Sequence, residues 1–218
     1  MVAARPGTAT RLRRGAPITF GILAVTIVAY VITQYAGDLG ERVLFELVQA
    51  NQLVALGDWW RLFTPILLHA SIAHILFNMY ALYQLGPAIE ARYGRAPFLA
   101  LYLGAAGVGG AFAFHFGGMA DVLVGASGAV FGLFGLWLHA AYKMRDTAFG
   151  RNLLSSLWIS LLLNIALPFL IPGISWQGHL GGLLAGILTA EIWSRIRARQ
   201  RVLVPVGLAI LAVLSVLL

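Results

Sequence analysis

Apolar runs of spanning length, separated by short polar segments, divide the 218-residue chain into seven candidate helices. They fall near residues 16–36, 71–92, 96–116, 126–143, 152–171, 177–194 and 202–218. Each suits a hydrocarbon core ~30 Å thick crossed at ~1.5 Å per residue with some tilt. Residues 37–70 form the longest connection. It opens with a short amphipathic stretch at 41–48 and continues as Asp58-Trp59-Trp60-Arg61-Leu62-Phe63-Thr64-Pro65. Asp58, Arg61 and Pro65 make the second stretch a poor spanning helix, and paired tryptophans beside an arginine suit the headgroup interface. Periodicity therefore predicts an all-α, polytopic membrane bundle.

Composition agrees. The chain is 60% hydrophobic and 11% charged, against about 25% charged in soluble domains. The net charge of +7 does not point to nucleic acid, because its arginines cluster in short segments between apolar runs. Residues 1–15, 92–95, 143–151 and 195–201 hold 13 of the 15 Lys and Arg residues. These segments share one side if all the runs span, which places the N-terminus in the cytoplasm. Arg11, Arg13 and Arg14 before the first run resemble a signal-peptide start. That run is longer than a typical signal core and no small-residue cleavage site follows, so it reads as a retained span. The chain has no Cys, which excludes disulfides, thiolate catalysis and cysteine metal sites.

The polar residues within the runs fall in one layer. Ser127 lies 16 residues before Lys143, His179 lies 16 before Arg195, and His74 lies 18 before Arg92. At helical rise these offsets are ~24–27 Å. A serine, two histidines and Asn78 thus share the outer half of the bilayer, a set suited to hydrolysis. Ser127, in Gly125-Ala126-Ser127-Gly128, opens the fourth run, where free backbone N–H groups favour an oxyanion. The bland reading is a small-residue packing motif. His179 opens the sixth run, and an intramembrane histidine normally has a partner. Gly178, Gly182 and Gly186 form a small stripe facing Gly128, Gly132 and Gly135, which allows the close packing a Ser–His pair needs. Ser127 is assigned as nucleophile and His179 as general base, then acid, in a dyad without an acidic member. Phe131 is expected to pack on the imidazole.

His74 and Asn78 are one turn apart and can donate to an oxyanion together with the Ser127 N–H. A helix–helix polar contact is the alternative. His69 is placed beside a water path. A zinc site of His69, His74 and His179 would leave Ser127 unexplained, so no metal or cofactor is expected. Asn164 reads as a helix contact, and His115 and His139 as residues near helix ends. Glu90 is expected to pair with Arg92, Arg95 or a helix terminus. Tyr and Trp residues near span ends read as interfacial anchors. No strand is expected before Ser127, which excludes a nucleophile elbow.

Several of these segments together resemble the rhomboid family of intramembrane serine proteases. They are Trp60-Arg61, the stretch from His69 through His74 to Asn78, Glu90 with Arg92 and Gly94, Gly125-Ala126-Ser127-Gly128, and His179 with Gly182 and Gly186. The resemblance implies a six-helix catalytic core at 16–200 with an external loop at 37–70. The tail at 1–15 precedes it, and a seventh helix at 201–218 follows it. It also implies Ser127 as nucleophile, His179 as base, and His74, Asn78 and Gly125 around the oxyanion. The implied partners are the lipid bilayer and single-span membrane proteins, cut near the outer ends of their helices. The fifth span would serve as a side gate with Phe77 near the opening. Phe131 stands where some members have Tyr, which keeps the ring and loses a phenolic hydrogen bond. A silent relative that binds membrane helices without cutting them is the alternative. A histidine-based transporter would need intramembrane acids or broken helices in repeated halves, and neither is found.

Overall fold

The computed structural model describes residues 15–170 and 174–218, with side chains except those of residue 160 and residues 163–170. The basic tail lies almost wholly outside the described residues, and so does the contact expected of Asn164. All seven runs are helices within a few residues of their expected limits. They are α1 (Pro17–Tyr35), α4 (Ile72–Tyr93), α5 (Arg95–Phe116), α6 (Ser127–Lys143), α7 (Ala148–Leu170), α8 (Trp176–Trp193) and α9 (Leu203–Leu217). The 37–70 connection adds α2 (Asp38–Leu47), α3 (Asn51–Ala55) and two 3-10 turns at Trp59–Leu62 and Thr64–Leu67. Among the described residues, Pro17–Tyr35, Arg95–Phe116 and Ala198–Leu217 are long and apolar enough to cross a membrane on composition alone. α4 and α8 carry more glycine and polar residues, His74, Asn78 and Glu90 on α4 and His179, Thr189 and Glu191 on α8.

Local chemistry sets the helix limits. Pro17 stands in the first turn of α1. Ser71 caps α4 by accepting from the His74 N–H at 3.2 Å, and Ser175 caps α8 by accepting from the Gly178 N–H at 3.1 Å. Gly94, at φ +94°, turns α4 directly into α5. The core packs Leu82, Phe98, Leu101, Tyr102 and Leu133 out of contact with solvent. α6 runs through the middle, against α4, α5, α7 and α8. α9 leans on α5, where a Cβ at Gly104 would stand 2.5 Å from the Pro205 carbonyl oxygen.

Of the partners open to Glu90, the structure selects a helix terminus. Its carboxylate is 2% exposed. It accepts from the Ile18 N–H at 3.0 Å, and from the Thr19 N–H and hydroxyl at 2.8 Å each. These N–H groups lack intrahelical partners, and the helix dipole favours a negative charge beside them. Glu90 thus fixes the start of α1 to the end of α4. Glu90→Leu strands three buried donors and is expected to cost ~2–3 kcal/mol. Thermal unfolding should show a clear fall in midpoint for Glu90→Leu and a smaller one for Glu90→Gln; an unchanged midpoint in both would remove this role.

Three expectations change. Arg61 is not an open charge beside the exposed Trp59 and Trp60, but is drawn into the protein and is 2% exposed. Its guanidinium donates to the carbonyls of Phe45 (2.6 Å), Glu46 (3.2 Å) and Val48 (2.9 Å) and to Asp58 (2.8 Å). The unpaired carbonyls at the end of α2 and the Asp58 carboxylate stabilise the buried charge. Trp193 is no interfacial anchor either. It is 2% exposed, and its indole N–H donates to the Arg201 carbonyl at 2.7 Å. A two-residue strand, β2 (Val122–Leu123), does precede Ser127. It pairs antiparallel with β1 (Gln49–Ala50), Gln49 opposite Leu123. Two residues are too few to show alternation. The ladder staples the external connection to the approach to α6.

Candidate active site

The glycine stripes meet as their spacing requires. A Cβ at Gly182 would fall on the Gly128 carbonyl, and one at Gly186 on the Gly132 carbonyl. From the other side, a Cβ at Gly135 would fall on the Leu183 carbonyl. α6 and α8 therefore touch backbone to backbone, an approach open only to the smallest residues. The seam begins beside the two candidate residues. A Cβ at Gly128, next to Ser127, would lie 3.4 Å from the carbonyl oxygen of Gly178, next to His179. The far end is closed by charge: Glu191 on α8 accepts from His139 on α6 at 2.6 Å and pairs with Lys143 at 3.2 Å and with Arg195.

Ser127 is the first residue of α6, and the first backbone bond of that helix runs from the Val130 N–H to the Ala126 carbonyl at 3.0 Å. The N–H groups of Ser127 and Gly128 precede it. The turn into the helix needs Gly125 for two reasons. Its φ is +124°, and a Cβ there would stand 2.7 Å from the His74 ring. Its N–H donates to the Pro65 carbonyl at 2.9 Å, which ties this turn to the external connection. His74, Gly125, Ser127 and Gly178 line one cavity of about 60 Å³. That is room for a few waters and no more.

His179 is buried, and its ring stacks on Phe131 with centroids 4.2 Å apart and planes 14° apart. Its Nδ1 has no hydrogen-bond partner among the described residues. No hydrogen bond joins Ser127 and His179, although adjacent helices bring them to the same end of the seam. Asn78 is buried and donates to the His74 carbonyl at 3.0 Å, so its amide is held on its own helix, outside the cavity lining. His69 also lies outside the lining. It is buried edge-on against His74, ring centroids 4.9 Å apart. Burial, with the His74 ring beside it, lowers its imidazole to about 3, so it is neutral. Phe77 is exposed on α4.

One cavity residue was not legible as such. Gln49 lines the space behind Ser127 and is buried, its amide donating to Asn51 (3.0 Å) and the Gly110 carbonyl (2.9 Å). It stands in the two-residue ladder, where no periodicity marks it. Among the described residues, no group of three or more His, Cys, Asp or Glu side chains is arranged to hold a metal ion. The donors at the cavity suit a developing anion rather than a cation.

Fold and site define a polytopic helical membrane protein with a half-buried serine at a helix start and a histidine across a glycine seam. Residues 56–196 match the family model described as the Rhomboid domain. The chain belongs to the rhomboid family. It is 34% identical over 189 residues to rhomboid protease GluP of Bacillus subtilis, covering 85% of this chain and 37% of GluP. It is 38% identical to the putative rhomboid protease YdcA of the same organism, covering 69% of this chain and 75% of YdcA. Rhomboid protease GlpG of Salmonella paratyphi A is 30% identical, covering 90% of this chain and 70% of GlpG. The chain thus spans well under half of GluP and about three quarters of the other two.

Proposed function

We propose that this protein is an intramembrane serine protease that hydrolyses peptide bonds of transmembrane substrates through a Ser127–His179 dyad. The observation that carries this reading is the glycine seam. It holds the start of α6 and the start of α8 together beside a small cavity into which Ser127, His74 and Gln49 bring polar groups. The names of the relatives, all rhomboid proteases, support it.

The chemistry follows from the groups present. Ser127 Oγ attacks the scissile carbonyl carbon and gives its proton to His179. The oxyanion is met by the free N–H groups at the start of α6 and by His74, against Gly125. Asn78 acts by holding the His74 turn of α4. As the C–N bond breaks, His179 returns the proton to the leaving amine. Water then attacks the acyl-enzyme, giving a proton to His179, and the ester bond to Ser127 breaks as His179 returns that proton to Oγ. Stacking on Phe131 holds the imidazole in place without an acidic third residue.

Residues 16–200 would form the catalytic unit, 1–15 a cytoplasmic tail and 201–218 an added helix. The Lys/Arg distribution supports an orientation with the Ser127 end toward the outer face of a cell membrane. The substrates are single-span proteins whose helices unwind locally before attack, since a helical carbonyl in lipid is already hydrogen-bonded. One observation favours the alternative, a silent binder of membrane helices: the absent Ser127–His179 hydrogen bond. Such bonds commonly tighten only with substrate bound. Proteoliposomes holding the protein and a single-span reporter separate the two. The protease reading expects one cut near the Ser127 end of the reporter helix; stable binding with no cut product supports the silent relative.

A further inference from the structure

At the end of the bundle opposite Ser127, two guanidiniums gather on one aromatic ring. Arg92 lies in the last turn of α4, and Arg201 in the turn between α8 and α9. Their guanidinium carbons stand 5.5 and 5.2 Å from the centroid of Tyr93, so they are within about 11 Å of each other. Tyr93 in turn packs on Trp193 at 4.8 Å between centroids, and Trp193 is bonded to the Arg201 backbone at 2.7 Å. The ends of α4 and α8 and the approach to α9 are thereby fixed around one ring.

These cations have no counter-charge. Among the described residues, neither Arg92 nor Arg201 has an ion-pair or hydrogen-bond partner for its guanidinium, and the Nε of Arg201 is buried and unpartnered. The nearby carboxylates are committed elsewhere. Glu90 is taken by the start of α1, and Glu191 by His139, Lys143 and Arg195. The α5 start at Arg95 has no side-chain cap, so its first N–H groups add positive potential at this end. A buried donor without an acceptor is costly. Pre-ordering on Tyr93 lowers the entropy lost on binding an anion.

We propose that Arg92, Tyr93 and Arg201 form a binding site for the phosphate of an anionic phospholipid headgroup. Two observations select a lipid. The site lies at the end of the bundle that carries most of the Lys and Arg residues, the end that the charge distribution would set against headgroups. It also lies between helix ends, where basic pockets take anionic headgroups. The bound headgroup would join α9 to the core through Arg201. The inference is independent of the catalytic reading.

The test is a titration of the full chain in zwitterionic nanodiscs with phosphatidylglycerol, read by native mass spectrometry and thermal midpoint. Arg92→Gln/Arg201→Gln should weaken binding ~10-fold or more. The control, Arg197→Gln/Arg199→Gln, removes the same charge from two exposed residues of the same turn and should change it less than about twofold. Arg92→Lys/Arg201→Lys, which keeps the charge and loses the planar stack, should fall between them and covers the case of a misfolded glutamine pair. Equal loss in the site and control pairs would reduce the effect to diffuse charge and overturn the site. Inorganic phosphate that displaces the lipid and raises the midpoint by itself would overturn the lipid assignment in favour of a free-anion site.

Discussion

Ser127→Ala is expected to lower cleavage of a membrane reporter by ~10⁴-fold or more while leaving the fold intact. The size follows from the role: without Oγ no acyl-enzyme forms, and only residual stabilisation by the oxyanion donors remains. The intact fold follows from the position. Ser127 is the first residue within α6, and no side chain caps that helix. Ser127 lines the cavity, and its hydroxyl bonds to no described residue. Thermal unfolding should therefore give a midpoint within about 2 °C of wild type, since no cap, core contact or buried hydrogen bond is lost. Cleavage at more than a few per cent of the wild-type rate would remove Ser127 from the nucleophile role. A large fall in midpoint would mean that lost activity reports unfolding rather than chemistry.

Gly182→Val is expected to have the largest effect on stability. A Cβ at this position falls on the Gly128 carbonyl, and backbone cannot swing aside as a side-chain tip can. The two helices must separate at the turn that carries Ser127 and His179. Overpacking costs ~1–3 kcal/mol where neighbours can yield, and more where they cannot. We expect more than ~3 kcal/mol, with activity falling further than stability because the dyad geometry opens first. Gly186→Val, one turn along the seam against Gly132, should behave alike. Gly207→Ala on α9 is the contrast, since nothing lies within 4 Å of a Cβ there. It should be neutral or stabilise by a few tenths to ~1 kcal/mol. Unfolding and reporter cleavage measured side by side decide this; a Gly182→Val protein with wild-type midpoint and rate would dissolve the seam as the device that assembles the site.

What the sequence made legible is what repeats over many residues. The seven apolar runs predict α1 and α4–α9 to within a few residues, because burial or lipid contact along twenty positions leaves a pattern no short connection can imitate. The seam between Gly128 and Gly182 was legible for the same reason, as two stripes at helical spacing. Stacking of Phe131 on His179 followed from a one-turn offset. Glu90 was narrowed to a few partners by its depth, and the structure supplied the one. What stayed hidden depends on single contacts between distant segments. Arg61 reads as a surface charge until the ends of α2 and its own turn enclose it. The ladder of Gln49 with Leu123 joins two stretches too short to alternate. Asn78 carries donors suited to an oxyanion, and one of them is taken by the His74 carbonyl.

Fluorophosphonate labelling of the purified protein, with peptide mapping of the adduct, decides whether Ser127 is a nucleophile activated by His179. Label is expected on Ser127 in wild type, and none in folded Ser127→Ala or His179→Ala. Absence of label from folded wild type, or labelling of His179→Ala at the wild-type rate, would contradict this role.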